Sequence, residues 1–348
     1  MVVAVDTNDP QRPLEPELVE LEALAQAAGA QIVAQVVQKR DHLDPATLVG
    51  SGKAREIAEL VKEHDAALVI VLNDLRPRQR KNLEKLIPVP IVDRTMLILD
   101  VFAQHARSRE GKLQVELAQL RYRQSNLIGV GADLSRLGGG IGTRGPGETK
   151  LEVDRRRIQS RISVLRRQLE DVRRQRETRR NAPRREPLVA LVGYTNAGKS
   201  SLLNALARSD VFVADQPFAT LDPTIRRVYL QPGAYARVAD TVGFITDLPK
   251  DLVNAFRATL EELREADLLV HVLDASNPDW PRQQAAVEAQ LHDLGLDEKS
   301  IIRVFNKIDN AIVIPSVAQR SRGSDEIDVS ARTGFGLESL RTKIAQCA

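Results

Sequence analysis

Gly193-Tyr194-Thr195-Asn196-Ala197-Gly198-Lys199-Ser200 follows the apolar stretch Leu188–Val192 and opens a helical stretch, Lys199–Arg208. A strand, a glycine-bounded turn and a helix in that order can wrap backbone N–H groups around a phosphate chain. The helix N-terminus adds its own positive end. Lys199 would reach the β- and γ-phosphates and counts as catalytic, and the Ser200 hydroxyl would ligate Mg²⁺, with Ser201 continuing the phosphate-facing turn. Those residue types at that spacing predict a nucleoside triphosphate site.

Asn306-Lys307-Ile308-Asp309 ends another apolar stretch, 107 residues after Lys199, and bears on which base is bound. A carboxylate at Asp309 accepts two hydrogen bonds from guanine, through the ring N1–H and the 2-amino group. Adenine presents an unprotonated nitrogen and a C–H there and would leave the carboxylate unpaired. Asn306 would hold the base edge and its neighbouring loops, and the Lys307 stem would cover the ring face. Ser330-Ala331-Arg332 is placed to supply a backbone N–H to guanine O6. Asp240-Thr241-Val242-Gly243, 41 residues after Lys199, supplies a carboxylate for a Mg²⁺-bound water and a glycine N–H, counted as catalytic, for the γ-phosphate. In the intervening Phe218-Ala219-Thr220-Leu221-Asp222-Pro223-Thr224, Thr220 is expected to complete the Mg²⁺ shell and is the third catalytic candidate, with Thr224 as the alternative. A contact made only with the γ-phosphate would give an order–disorder switch.

Two other glycine clusters fail as nucleotide sites. Gly50-Ser51-Gly52-Lys53 has Ala54 where the metal-binding hydroxyl belongs, and Gly140, Gly142 and Gly145 are preceded by no strand and followed by Pro146. His42, His64, His105, His271 and His292 form no close pair with metal-ligand spacing. Cys347 is the only cysteine, which excludes an intrachain disulfide and thiolate metal clusters. No stretch approaches the roughly 18 apolar residues of a membrane span, and Met-Val-Val-Ala-Val-Asp is not a secretory signal, so we expect a cytoplasmic monomer. With aromatics at 3%, a base-stacking platform is disfavoured.

The elements that must position these residues fall into three segments. Over residues 1–110, strand-like Val2–Val5, Gln31–Val37, Ala67–Leu72 and Val89–Val92 alternate with helical Glu15–Ala28, Ala54–Glu63 and Arg78–Leu86, and predict a parallel α/β subdomain, with Thr95–Ala106 as a buried helix. Residues 111–183 predict an antiparallel helical hairpin. Its first helix covers Lys112–Arg123, and Asn126–Gly147 reads as a glycine-rich loop. The second, about Glu148 to Arg180, carries Leu151, Ile158, Ile162, Leu165, Leu169 and Val172 at coiled-coil spacing. Asn181-Ala182-Pro183 stops that helix, and residues 184–348 predict a second α/β domain carrying the phosphate and base motifs. There, strands at Leu188–Val192, Ala236–Ala239, Leu268–Leu273 and Ile301–Phe305 alternate with helices at Lys199–Arg208, Asp251–Ala266, Pro281–Leu294 and Gly336–Ala345. The fold class is therefore α/β throughout, interrupted by a helical hairpin.

Net charge is only +3, yet between Arg155 and Arg185 there are 13 arginines against Glu170, Asp171 and Glu177. A solvated helix usually mixes signs, so this bias favours a polyanionic partner read through its phosphates. Arg144, in the glycine-rich loop, would be a further charged contact.

The phosphate and base motifs resemble the translation-factor class of P-loop GTPases over Glu186–Ala348. Asp93–Gln104, Glu110–Leu120, Gly138–Glu148 and Asp154-Arg155-Arg156-Arg157 are similar to the HflX family, ribosome-associated GTPases with an α/β-plus-hairpin region ahead of the G domain. One departure is Tyr122-Arg123-Gln124-Ser125-Asn126, where the family more usually runs through Leu-Pro-Arg-Leu. Another is the short stretch after the last G-domain helix, from which the C-terminal extension some members carry is expected to be absent. The resemblance implies binding to the large ribosomal subunit through rRNA, dissociation of stalled or idle ribosomes, and GTP as substrate with Mg²⁺. Asn196 matches the asparagine that binds an activating K⁺ in some related GTPases, the alternative being a brace for the loop. Phe244 stands where Ras-like enzymes place a water-orienting glutamine, so slow intrinsic hydrolysis with ribosome stimulation is expected. Two other classes remain open: a non-ribosomal signalling or RNA-binding switch, and an enzyme with separate catalysis in residues 1–110, where we find no nucleophile–base pair.

Overall fold

A computed structural model describes residues 1–9, 12–137, 146–180, 186–207, 218, 224–246, 263–310 and 326–348. The chain divides into two compact units, Met1–Gln104 with Lys112–Arg174, and His105–Gly111 with Gln175–Ala348.

The first unit begins with β1 (Val2–Asp6), α1 (Leu14–Ala27), β2 (Gln35–Lys39), α2 (Ser51–Glu63), β3 (Val69–Val71), α3 (Pro77–Leu86), β4 (Ile91–Asp93) and α4 (Arg94–His105). Its four strands form a parallel sheet in the order β2-β1-β3-β4. Val2, Val3, Ala4 and Val5 are all buried, the uninterrupted apolar run expected of a strand covered on both faces. Pro77 opens α3, where its missing N–H costs nothing, and the Gln79 side chain accepts the Arg76 N–H at 2.9 Å.

The hairpin is α5 (Arg109–Leu137) and α6 (Pro146–Arg180). α5 is longer than the sequence suggested: the stretch from Asn126 to Leu137, expected to belong to the loop, is helical. Gly129 and Gly131 fall within this helix, each at a cost of only about 1 kcal/mol relative to alanine, which does not end it. Residues 138–145 lie outside the described residues. The seam follows the predicted spacing on α6: Leu117, Ile162 and Leu165 are buried, and Leu113, Leu120, Ile158 and Leu169 pack against them. Arg161 forks onto Glu116 across the two helices at 2.7 and 2.9 Å. The hairpin root is tied to the α/β layer by Tyr122, which shares the Asp93 carboxylate with Arg80. Burial, then the Asp93 charge, raises the Tyr122 pKa, so it remains a neutral phenol.

In the second unit β5 (Leu188–Gly193), α7 (Lys199–Ala207), β6 (Thr224–Gln231), β7 (Ala234–Asp240), β8 (Leu268–Asp274), α8 (Trp280–Asp293), β9 (Ile301–Asn306), β10 (Glu326–Asp328) and α9 (Leu337–Cys347) build a six-stranded sheet, β10-β9-β8-β5-β7-β6. All neighbours are parallel except β6, which runs antiparallel to β7 at the sheet edge. α7 and α9 close one core: Leu202, Leu203, Leu206, Leu340 and Ile344 pack with Val189, Leu191, Val228, Val238 and Val270. Phosphate and base motifs thus emerge together from the C-terminal ends of β5, β7 and β9, where parallel sheets place their ligands.

Candidate functional site

Two glycines of the β5–α7 turn have no substitute. Gly193 has φ +152° and a Cβ there would lie 2.3 Å from the Val272 carbonyl oxygen; Gly198 has φ +88° and a Cβ would lie 2.3 Å from the Asn306 side-chain nitrogen. Asn196 takes the left-handed conformation at φ +61°, which asparagine tolerates better than most side chains. The turn presses against the base motif: Asn306 Nδ2 donates to the Ala197 carbonyl at 3.0 Å, while its Oδ1 accepts the Ala331 N–H at 3.0 Å. One buried asparagine therefore clamps the phosphate turn to the Ser330–Arg332 loop.

Lys199 is buried, and its Nζ donates to the Gly193 and Tyr194 carbonyls at 3.0 and 2.9 Å. Burial lowers its pKa to about 8; Asp240 opposes the shift and Lys307 adds to it. A cation that has lost its water gains much from a phosphate. Ser200 Oγ donates to Asp240 Oδ2 at 2.5 Å, so the two expected metal-site residues from α7 and β7 adjoin. A hydroxyl and a carboxylate are the hard oxygen donors that suit Mg²⁺. Among the described residues no cluster of three or more histidine, cysteine or acidic side chains offers another metal site.

After β7, Thr241 Oγ1 donates to the Leu191 carbonyl at 2.7 Å, while Val242 is half-buried. Gly243 lies against the phosphate turn: a Cβ would sit 2.8 Å from Thr195 Cα and 3.1 Å from Lys199 Nζ. Phe244 donates its N–H to the Gly193 carbonyl and accepts the Thr195 N–H, at 3.0 and 2.8 Å. Phe244 is buried, and its side chain has no polar atom with which to orient water. The Tyr194 hydroxyl meets both the hydroxyl and the N–H of Thr246, at 2.8 and 2.9 Å, and Gln290 on α8 donates to the Ile245 carbonyl at 2.6 Å. Sequence reasoning missed Thr246 and Gln290, since nothing in their spacing marks a partner 52 or 45 residues away.

At the base end, Ser330 Oγ donates to Asp309 Oδ1 at 2.7 Å, and the Arg332 guanidinium stands 4.0 Å from Asp309 Oδ2. Lys307 adopts φ +60°, and its ammonium pairs with Asp274 at 2.8 Å. Ile308 packs with Phe305, Leu273 and Trp280 beneath the motif. Phe218 is buried, at φ +59°. Ala219, Thr220, Leu221 and Asp222 lie outside the described residues, and the alternative Thr224 is held in the ladder opposite Asp240. The Gly50–Lys53 look-alike only opens α2, without a strand directly before it; the Gly140–Gly145 cluster lies outside the described residues.

Three family models match in series: "GTP-binding GTPase N-terminal" over residues 15–103, "GTP-binding GTPase Middle Region" over 105–183, and "50S ribosome-binding GTPase" over 188–307. A GTPase HflX from Caldanaerobacter subterraneus is 51% identical over 94% of this chain and 76% of its own length. The chain belongs to the HflX family of GTPases. The Escherichia coli GTPase HflX is 45% identical over 93% of this chain and 77% of its own. A solved structure described as SsGBP in complex with GDP aligns with a TM-score of 0.54 and 25% identity, covering 99% of this chain and 97% of that one. As an HflX GTPase the protein hydrolyses GTP and belongs to a ribosome-binding family, and no helix among the described residues is long and apolar enough to cross a membrane.

Proposed function

We propose that this GTPase acts on the large ribosomal subunit, contacts rRNA through the arginine-rich face of α6, and dissociates stalled or idle ribosomes in its GTP form. The observation that carries the reading is the orientation of α6. Its apolar residues Ile162 and Leu165 are turned into the hairpin seam, while the side chains of Arg156, Arg157 and Arg174 face outward at 77%, 79% and 71% exposure. Their ion pairs with Glu152, Asp154 and Glu170 span one helical turn at the surface and are weak enough to exchange for phosphates.

In the nucleotide site, the Gly193–Ser201 turn would surround the α- and β-phosphates with backbone donors, and Lys199 would turn from the Gly193 and Tyr194 carbonyls to the β- and γ-phosphates. Ser200 and Thr220 would ligate Mg²⁺, and Asp240 would hold one of its waters; the ion would neutralise charge on the transferring phosphoryl group. The Gly243 N–H would meet the γ-phosphate, while Asn306, Lys307, Ile308, Asp309 and the Ser330–Arg332 loop would read guanine. K⁺ at Asn196 belongs to the same reading, and equal turnover in KCl and NaCl would remove it. Because Phe244 cannot orient water, turnover is slow alone and rises on the ribosome.

Co-sedimentation with isolated large subunits, with a non-hydrolysable GTP analogue and with GDP, tests the proposal. Binding that prefers the analogue, weakens steeply with salt and yields split subunits from whole ribosomes is the expected result. Binding indifferent to nucleotide and salt, or full GTP turnover without ribosomes, would overturn it.

A further inference from the structure

Asp274 closes β8 directly beside the base-reading motif, its backbone in register with Asn306 on β9. The pattern of GTPase motifs gives this carboxylate no task, yet both its oxygens are engaged. Oδ1 accepts the Ser276 N–H at 3.0 Å and the Ser276 hydroxyl at 2.6 Å; Oδ2 meets the Lys307 ammonium at 2.8 Å. The Asp274 side chain is 13% exposed and that of Lys307 26%, so the pair is partly shielded from water and outside the class of exposed pairs worth almost nothing.

Lys307 needs such a partner. Its backbone is left-handed at φ +60°, which directs a long flexible side chain back across the phosphate turn; Lys307 Cε lies 3.8 Å from the position of a Cβ on Gly198. A lysine stem left loose there would lose several rotamers each time it was pressed onto a base.

We propose that Asp274, itself fixed by Ser276, is a positioning residue of the nucleotide site, which holds the Lys307 ammonium so that the lysine stem is preset as a wall of the guanine slot. Asp274 acts through Lys307 and needs no contact with the nucleotide. The inference rests on the reading of Asn306–Asp309 as the guanine site. It requires that losing Asp274 weakens GTP and GDP equally, since both carry the same base, and leaves the chemical step alone.

The test is titration calorimetry with GDP and GTP turnover on the full chain, comparing wild type, Asp274→Asn, Lys307→Met and the double variant. Asparagine keeps an acceptor for Ser276, and methionine keeps the stem without the charge; thermal unfolding without nucleotide checks that each variant folds. The expected result for Asp274→Asn is roughly tenfold weaker GDP binding and a matching rise in KM with kcat retained. The double variant should be no weaker than Lys307→Met alone, because the two residues form one unit. A turn-bracing role for Asp274 would instead multiply the two losses, and that result overturns the proposal, as does wild-type affinity in Asp274→Asn. If wild type itself fails to prefer guanine nucleotides, the site reading falls and this inference with it. Normal wild-type preference with an inert Asp274→Asn overturns this inference alone.

Discussion

Gly198→Ala and Gly233→Ala separate backbone strain from loss of space. Both glycines have φ near +80°, at +88° and +80°, and an alanine at either pays the left-handed penalty of about 1–2 kcal/mol. Around Gly233 there is nothing within 4 Å, so the penalty ends there. At Gly198 the new methyl would lie 2.3 Å from Asn306 Nδ2, more than 1 Å inside ordinary contact. Asn306 must withdraw, and its buried bond to the Ala197 carbonyl then breaks. A buried amide and carbonyl left unpaired add about 1–3 kcal/mol, bringing the total to roughly 2–5 kcal/mol. Denaturant unfolding of the nucleotide-free chain measures the difference. The same displacement should uncouple the Ala331 loop, because Asn306 Oδ1 holds its N–H, so GDP affinity should fall at least about thirtyfold in Gly198→Ala and stay near wild type in Gly233→Ala. Equal unfolding midpoints and equal GDP affinity for the two variants would refute the claim that Asn306 fills the space beside this glycine.

Other predictions follow from charge and burial. If Lys199 holds the phosphates as proposed, binding requires its protonated form, and burial sets its pKa at about 8, so GDP affinity should be flat below pH 8 and weaken about tenfold per unit above it; a flat profile from pH 7 to 9.5 would contradict this. His271 is fully buried, and burial lowers its pKa to about 4 from 6.5. The unfolded chain therefore takes up the proton first as pH falls, and stability present above pH 6.5 is lost by roughly 3 kcal/mol as pH approaches 4. His271→Phe should remove that part of the acid slope in urea titrations, and an unchanged slope would place the acid sensitivity elsewhere. Tyr122→Phe removes the hydroxyl shared with Asp93 and Arg80 at the hairpin root, and should cost about 1–3 kcal/mol in unfolding free energy without altering GDP affinity.

The parts of this fold legible in sequence were those whose local pattern and tertiary environment agree. β1, β5 and β8 are apolar over most of their length and buried almost throughout, and the α6 seam shows its three-and-four spacing because a partner helix lies along it. β6 escaped notice. Only Val228 and Leu230 of its Thr-Ile-Arg-Arg-Val-Tyr-Leu-Gln run are buried, as befits an edge strand, and two adjacent arginines hide the alternation. α5 was read too short because Gly129 and Gly131 look like loop residues until a long helix bears their cost. At the proposed site, the Gly193–Ser200 turn and Asn306–Asp309 stand out in the sequence because each is contiguous in the chain. The pairing of Asp274 with Lys307 and of Gln290 with Ile245 depends on which strand ends and helix faces meet, and no spacing rule encodes that.

In the proposed nucleotide site Asp309 would read guanine while the Gly193–Ser200 turn would hold the phosphates. Titration calorimetry of GDP and ADP into wild type and Asp309→Ala tests it most directly. Wild type should prefer GDP about a thousandfold or more, and the variant roughly tenfold or less. Equal affinity for the two nucleotides in wild type, or a preference that survives the substitution, would contradict it.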